Sequence, residues 1–495
     1  MSDLTSLQRE ALDLLAEGFT PADPSVFEPA LRAVNVERLL ESARRFGTPQ
    51  YFLDVDALTQ RAARFLGTMR AEIPSAEACY AFKCNDLPTQ IKALKTSGFH
   101  ADVASLFELQ LALKLGFERI LFSGPGKSED ELALALAHPD RVIVNIDNLD
   151  EVERLAGLVV EGGGDASAAA GTARAADAPG AIGVGPAGAR PPLRVGLRVN
   201  TATSTGGSWW KFGFNLEDLA EAIRRVDACP GLRWAGVQFH GSWNKNPSGY
   251  LRQIERIGRW LRDHVTPERL AALDYFDIGG GFYPEDQALL GQGDDAGELL
   301  ALIGSRTGDR AAAFREAGID PHAFRLTPVE PLESFAREIG DALRTCVFKL
   351  NPGLTIYLEP GRYLVTFATT VLLRVVAVKP QGVIVDGGVN LLGDYKLAEY
   401  SFAPVLNLTR PSGEWRRRTI CGSLCDPADL FGYSHYGDEL RKGDVLAVLH
   451  QGAYTFSGAW RFIKSIPPYI AASGDELWVA RAEETFDARY GGCEL

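Results

Sequence analysis

The sequence predicts an α/β protein in which a (β/α)8 TIM-like barrel is followed by a second, mostly antiparallel β domain. Short apolar runs typical of strands alternate with helical patterns between residues 77 and 358. Strands separated by helices form parallel sheets, and about eight such units close into a barrel. After residue 362, further runs typical of strands follow one another with turns and little helix between them.

The alternation can be followed unit by unit along the chain. The runs predicted as barrel strands are 77–82, 100–103, 120–122, 142–144, 193–199, 232–239, 275–278 and 354–358. The helical patterns between them cover 87–97, 105–115, 128–137, 148–160, 216–228, 248–265 and 331–344. Two insertions are predicted, at 161–192 and 286–328. The first is rich in Gly, Ala and Pro and has few large apolar residues to offset the entropy of ordering it.

The second domain is predicted from shorter runs. They are 363–378, 382–385, 417–421, 444–449 and 477–480. A helical extension is expected at 4–16, before a strand at 50–55 that joins this domain. We therefore expect an N-terminal extension over 1–50, a barrel over 51–362 and a β domain over 363–495.

Composition and charge exclude several classes of function. The 495 residues carry a formal charge of −13, which argues against binding of nucleic acid or of an anionic membrane surface. No apolar run approaches the roughly 18 residues of a membrane span, and residues 1–19 lack the pattern of a signal peptide. Seven Cys residues are too few for a disulfide scaffold, so a cytoplasmic protein is expected.

Polar residues follow four of the predicted barrel strands. Lys83, His240, a glycine turn and a Glu359-x-x-Arg362 motif would meet at the C-terminal rim, where such barrels build their active sites. Each feature also has an ordinary structural interpretation. A lysine after a strand is usually solvated, a histidine can belong to the core, and three glycines often form a tight turn.

A phosphate site is the most specific expectation from these residues. Gly279, Gly280 and Gly281 follow predicted strand 7, while Gly361 and Arg362 follow strand 8, and loops after those strands often bind phosphate in this fold. A lysine facing a phosphate-bearing cofactor suggests a Schiff base with pyridoxal 5'-phosphate and a carboxylate for its ring nitrogen.

Two features of the second domain leave alternatives open. Cys421 and Cys425 could be a buried pair, but their spacing without a second pair or a nearby His is poor for zinc, so no metal is expected. The Cys425 thiol beside Asp426 could instead donate a proton and anchor substrate. Tyr454 could be a core aromatic residue or a hydroxyl donor to an anion.

In this order, the motifs resemble the fold-type III pyridoxal-phosphate decarboxylases, which include diaminopimelate, ornithine and arginine decarboxylases. The resemblance spans about residues 47–468, apart from the two insertions. It rests on the motifs at 80–85, 102–105 with Glu108, 211–214, 277–282, 359–363, 425–426 and 452–454.

The resemblance implies a role for each candidate residue. Lys83 would bind the cofactor as a Schiff base, His240 would stack on its ring and Glu359 would pair with the ring nitrogen. Cys425 would protonate the carbanion left after CO2 loss, and Asp426 would face the distal amine of a basic substrate. The phosphate would be held by Gly279, Gly280, Gly281, Arg362 and Tyr454. The family is typically a head-to-tail homodimer, so Cys425 and Asp426 would reach the partner's Lys83.

Several departures from the family pattern concern the substrate. The family's His-x-Gly-Ser motif is one residue shorter here, so Ser242 is an uncertain phosphate ligand. Asp394 stands near where the diaminopimelate branch has Arg, and Asp426 where it has Glu, which disfavours diaminopimelate. We expect a basic, amine-ended or conjugated amino acid. An amino-acid racemase and an inactive regulatory homologue are the alternatives, and retention of Lys83, Glu359, Arg362 and Cys425 argues against the second.

Overall fold

A computed structural model describes residues 27–162, 191–201, 208–285, 289–290, 326–327, 329–392, 403–427 and 429–494. The predicted helix at 4–16 lies outside these residues, as do most of the two predicted insertions. No helix in the described ranges is both long and apolar enough to cross a bilayer. Leu289–Leu290 and Leu326–Thr327, at the two ends of the second insertion, pair as a short antiparallel ribbon.

The predicted closed barrel of eight parallel strands is confirmed. Its strands, numbered 1 to 8 in chain order, are Ala76–Ala81, His100–Val103, Ile120–Phe122, Val142–Ile146, Leu193–Val199, Leu232–Phe239, Tyr275–Asp277 and Thr355–Leu358. Each boundary lies within two residues of the predicted one. Most residues of these strands are buried, because a barrel packs both faces of its sheet, and this explains their continuous apolar runs.

Helices surround the barrel on its outside. Those of the barrel region are Pro88–Thr96, Leu106–Lys114, Glu129–Ala137, Leu149–Gly162, Leu219–Asp227, Ser248–His264, Pro267–Ala271, Leu332–Cys346 and Arg362–Val365. Three helices that the sequence analysis did not predict precede the first barrel strand: Glu28–Arg32, Val36–Phe46 and Val55–Glu72. The longest of them is capped by Asp54, whose Oδ1 accepts a hydrogen bond from the Ala57 amide at 2.9 Å.

A nine-stranded sheet forms the second part of the described structure. In chain order its strands are Gln50–Asp54, Thr369–Lys379, Gly382–Val385, Val405–Asn407, Trp415–Cys421, Leu430–Tyr436, Val445–Val448, Tyr469–Ser473 and Glu476–Arg481. Most neighbours are antiparallel, as predicted. Gln50–Asp54 joins this sheet, so we propose that the barrel region begins after Asp54 rather than at residue 51.

The sheet differs from the prediction in two respects. The predicted run at 363–378 begins with a short helix, Arg362–Val365, and becomes a strand only at Thr369. Three strands were missed, namely Val405–Asn407, Leu430–Tyr436 and Tyr469–Ser473. All three contain Gly, Ser, Asn or His, and Asn and Gly in particular are depleted in strands.

Candidate active site

Lys83 lies directly after barrel strand 1, on a short 3-10 turn over Phe82–Cys84. Its Nζ is 3.1 Å from Oδ2 of Asp102, which belongs to the neighbouring barrel strand 2. Burial lowers the pKa of Lys83, but the carboxylates of Asp102 and Glu359 raise it by more, so the amine is protonated at neutral pH. About a third of the side chain, 37%, is exposed, so a small molecule can contact this side chain.

Glu359 follows barrel strand 8 and is almost fully buried, with 1% of its side chain exposed. The Gln238 amide nitrogen lies 3.4 and 3.5 Å from the two carboxylate oxygens and donates to them. Burial raises the pKa of Glu359, whereas His240 and the Lys83 charge lower it, and the balance leaves the pKa at about 2. A buried carboxylate that stays ionised is suited to a cationic ring nitrogen.

His240, at the end of barrel strand 6, is a neutral imidazole. Its Nδ1 lies 3.0 Å from the Gly280 amide and 3.4 Å from Oε2 of Glu359, and its Nε2 lies 3.3 Å from Oγ of Ser242. Burial lowers the pKa of His240, which favours the neutral form. Ser242, an uncertain phosphate ligand in the sequence analysis, is therefore a partner of His240 in this structure.

The glycine turn after barrel strand 7 brings three backbone segments into close approach. Gly279 and Gly281 have φ values of +70° and +90°. A Cβ atom on any of the three glycines would overlap a carbonyl oxygen of a neighbouring segment. The Gly279 amide donates to Asp277 and the Gly280 amide donates to His240. The turn therefore packs against the segments that follow strands 6 and 8, which leaves no room for a side chain at these three positions.

Arg362 begins the helix after barrel strand 8, next to Gly361. Its guanidinium lies 5.0 Å from the ring centroids of both Tyr283 and Tyr454. Tyr454 has a φ of +58°, a conformation that is unusual for a bulky residue. Arg362 and Tyr454, which are distant in sequence, thus meet at the rim, as the expected phosphate site requires.

Hydrogen bonds join residues 452–457, which follow strand Val445–Val448 of the nine-stranded sheet, to the segment around Lys83. The Tyr454 amide donates to the Cys84 carbonyl at 2.7 Å, and the Ser457 hydroxyl donates to the Lys83 and Cys84 carbonyls at 3.0 and 3.1 Å. The Asn85 side-chain amide donates to the Gly452 carbonyl at 3.1 Å. We call this set of bonds the junction.

Cys425 and Asp426 lie on the loop between Trp415–Cys421 and Leu430–Tyr436, and both are exposed. The buried Asp429 carboxylate shapes this loop, because it accepts hydrogen bonds from the Leu424 amide at 2.6 Å and the Val389 amide at 2.7 Å. Within the described part of the chain, Lys83 makes no hydrogen bond or ion pair with the loop. Asp394 lies outside the described residues.

Two functional side chains were missed as individual sites in the sequence analysis. Asp102 contacts Lys83, and Gln238 donates to Glu359. Both are polar residues near the C-terminal end of a barrel strand, where inward-facing side chains reach the rim. A polar residue near the C-terminal end of a predicted barrel strand is therefore the feature of the sequence that indicates such a site residue.

The residues present fit pyridoxal phosphate. Lys83 offers an amine for the aldehyde, Glu359 an ionised carboxylate for the ring nitrogen, and Arg362 a cation for the phosphate. Among the described residues, Oδ1 of Asp102 and Oε1 of Gln238 are buried without a hydrogen-bond partner. Such polar atoms are expected at a site built for a polar ligand. No group of three or more metal-ligating side chains is found in the described ranges.

Comparison with known proteins gives consistent results. Residues 59–304 match the family described as "Pyridoxal-dependent decarboxylase, pyridoxal binding domain". Diaminopimelate decarboxylase of Actinosynnema pretiosum subsp. auranticum is 31% identical over 428 residues, which cover 84% of this chain and 81% of that protein.

Two solved structures share the fold. Diaminopimelate decarboxylase of M. jannaschii in complex with L-lysine has a TM-score of 0.69 at 21% identity and covers 91% of this chain and 93% of that one. Lysine/ornithine decarboxylase of Vibrio vulnificus in complex with putrescine has a TM-score of 0.61 at 21% identity, with coverage of 86% and 95%.

Proposed function

Because the chain belongs to the fold-type III pyridoxal-phosphate-dependent decarboxylases, we propose that its substrate is a diamino acid whose side chain ends in an ammonium group. The chain is a pyridoxal-phosphate-dependent amino-acid decarboxylase, which sets aside the racemase and the inactive regulator. The observation that carries this function is the buried, ionised Glu359, which interacts electrostatically with the partly exposed side chain of Lys83. The relatives are named for diaminopimelate, lysine and ornithine, all diamino acids.

The proposed chemistry assigns each residue of the site a task. When bound, pyridoxal phosphate supplies a conjugated ring that withdraws electrons from the bond between Cα and the carboxylate. Lys83 would hold the cofactor through Nζ, and Glu359 would hold a proton on the ring nitrogen because its own pKa is about 2. The neutral His240 would present a flat, uncharged face to the ring. Gly279–Gly281, Gly361, Arg362 and Tyr454 would hold the phosphate.

Cys425 and Asp426 would act on the substrate. The Cys425 thiol would donate the proton from Sγ to Cα after the carboxylate leaves, a task that needs a positioned acid. Asp426 would attract the distal ammonium group by charge. A distal carboxylate beside Asp426 would be repelled, which is why we favour an amine-ended substrate over diaminopimelate.

We expect the purified enzyme, loaded with pyridoxal phosphate, to release CO2 from ornithine, lysine or an amine-ended conjugate. Asp426→Asn is expected to raise KM by about tenfold with a smaller change in kcat, because it removes a charge partner of the distal amine. Rates are measured across L- and D-ornithine, lysine, arginine and meso-diaminopimelate. Asp475→Asn, an exposed carboxylate in a hairpin turn, is the control.

Diaminopimelate is the second candidate, because the relative that is 31% identical is named for it. Rapid turnover of meso-diaminopimelate, with none of ornithine, lysine or an amine-ended conjugate, would contradict the proposed substrate. Asp394→Arg distinguishes the two candidate substrates further. It should weaken the binding of a diamine-type substrate and strengthen the binding of one with a distal carboxylate.

We propose that two copies of the chain share their active sites. Lys83 follows a strand of the barrel, whereas Cys425 lies on an exposed loop between two strands of the nine-stranded sheet. Large apolar side chains are also exposed near the barrel rim and on the segment that follows Ser457: Phe107, Trp210, Trp243, Trp460, Phe462 and Ile463. Exposed apolar groups of this kind mark interaction surfaces, and a second copy would bury them.

Mixing two inactive variants, Lys83→Ala and Cys425→Ala, is expected to restore activity. In a two-fold dimer with shared sites, random exchange leaves about one quarter of the sites with both residues intact. If both residues of a site came from one chain, no site would hold both. Activity is measured after subunit exchange has been verified by mass spectrometry. A mixture of Lys83→Ala with the double variant is the inactive control, and zero recovery in the test mixture would refute a shared site.

A further inference from the structure

Three carboxyl groups are buried together at the ends of barrel strands 2, 7 and 8. They belong to Asp102, Asp277 and Glu359, with 1%, 0% and 2% of each residue exposed. Lys83 contacts Asp102 at 3.1 Å and lies near Glu359. One lysine cannot balance three buried negative charges, so the cluster needs a proton on one of its members.

The geometry around Asp277 indicates where that proton is. Asp277 pairs with Tyr357 across strands 7 and 8, and Tyr357 is two residues before Glu359 in the chain. The carboxyl groups of Asp277 and Glu359 are in hydrogen-bonding contact. Oδ1 of Asp277 accepts from the Gly279 amide at 2.8 Å. Its Oδ2 is buried without a hydrogen-bond donor among the described residues. Two ionised carboxylates in this contact would repel each other, whereas a proton on Oδ2 turns the contact into a hydrogen bond.

The remaining neighbours of Asp277 favour the neutral form. Among the described residues, the titratable groups that interact with it include those of Glu359, Asp102, Cys79, Tyr275 and Tyr357, all of them negative or neutral. Burial and the charge of Glu359 hold the pKa of Asp277 well above its usual range. Glu359, by contrast, lies near Lys83 and accepts from Gln238, so it is the member of the pair that keeps its charge.

We propose that Asp277 is a neutral carboxylic acid whose Oδ2–H donates to Glu359, and that it is a positioning residue for the cofactor's ring nitrogen. This inference deepens the proposed function and rests on it. Asp277 touches neither substrate nor cofactor in this scheme. It fixes one oxygen of Glu359, so that the other oxygen and the full negative charge face the ring.

The test compares two substitutions of similar size in the holoenzyme. In Asp277→Asn, the amide oxygen can still accept from Gly279 and the amide nitrogen can still donate to Glu359, so it mimics the protonated acid. Asp277→Leu fills the space but donates nothing. We expect Asn to leave the affinity for pyridoxal phosphate within about threefold of native, and Leu to weaken it by about tenfold or more.

Infrared spectroscopy gives a second readout that does not depend on turnover. The native protein should show the carbonyl stretch of a protonated carboxyl at neutral pH. Labelling aspartate carboxyl carbons with 13C should shift that band, and Asp277→Asn should remove it. Absence of the band, or equal loss of cofactor affinity in the Asn and Leu variants, would overturn the proposal. A native enzyme that releases no CO2 would instead refute the proposed function, because the band and the affinities are measured independently.

Discussion

Lys83→Ala is expected to abolish covalent attachment of pyridoxal phosphate and to lower turnover by at least about 10³-fold, because a covalent catalyst cannot be replaced by neighbouring groups. The Lys83 Nζ is the amine of the buried cluster and lies 3.1 Å from Oδ2 of Asp102. The absorbance band of the protein-bound cofactor should be lost. In the native protein, borohydride should remove the same band and add the mass of the reduced cofactor at Lys83.

Lys114→Ala is the matched control, because this lysine is exposed at the end of its helix, away from the cluster. It should keep both the band and the activity. Full activity of Lys83→Ala with a retained absorbance band would show that another group binds the cofactor.

Glu359→Gln should keep the fold but slow decarboxylation by about 10²- to 10³-fold, comparable with removing one preorganised electrostatic partner. The amide carries no charge, so it cannot favour the protonated ring nitrogen. Since the pKa of Glu359 is about 2, far below its usual value, the native carboxylate stays ionised from weakly acidic to alkaline pH. The deficit of the variant should therefore be constant between about pH 5 and 9.

The deficit is measured as kcat at saturating cofactor and substrate, with circular dichroism to verify the fold. Glu476→Gln, an exposed residue on the Glu476–Arg481 strand, should behave as the native enzyme. An unchanged kcat in Glu359→Gln would contradict the role of Glu359 at the ring nitrogen.

The sequence predicted the barrel well because its strands are buried on both faces and therefore appear as short apolar runs between helical patterns. Leu232–Phe239 and His100–Val103 have the predicted bounds. The nine-stranded sheet was harder to predict, since its strands include partly exposed and irregular members. Leu430–Tyr436 contains Gly432, Ser434 and His435, and no alternating pattern indicates a strand there.

The sequence likewise predicted the positions of some residues of the candidate site but not the contacts of others. Lys83, His240, Gly279–Gly281 and Arg362 could be placed at one rim because the C-terminal ends of barrel strands meet there. The contact between Asp277 and Glu359 could not be predicted, since it depends on the register of two strands whose residues are far apart in the chain. Cys425 and Asp426 lie on an exposed loop, and their proposed role depends on which residues of a second chain lie next to them.

The junction also has a thermodynamic consequence. The main-chain carbonyl of Lys83 accepts a hydrogen bond from Ser457, and that of Cys84 accepts from Tyr454, so the nine-stranded sheet supports the backbone that carries the reactive amine. Binding of a ligand at Lys83 and formation of the junction between the barrel and the nine-stranded sheet are therefore linked equilibria. A ligand that requires the intact junction raises the melting temperature of the barrel and of the sheet together.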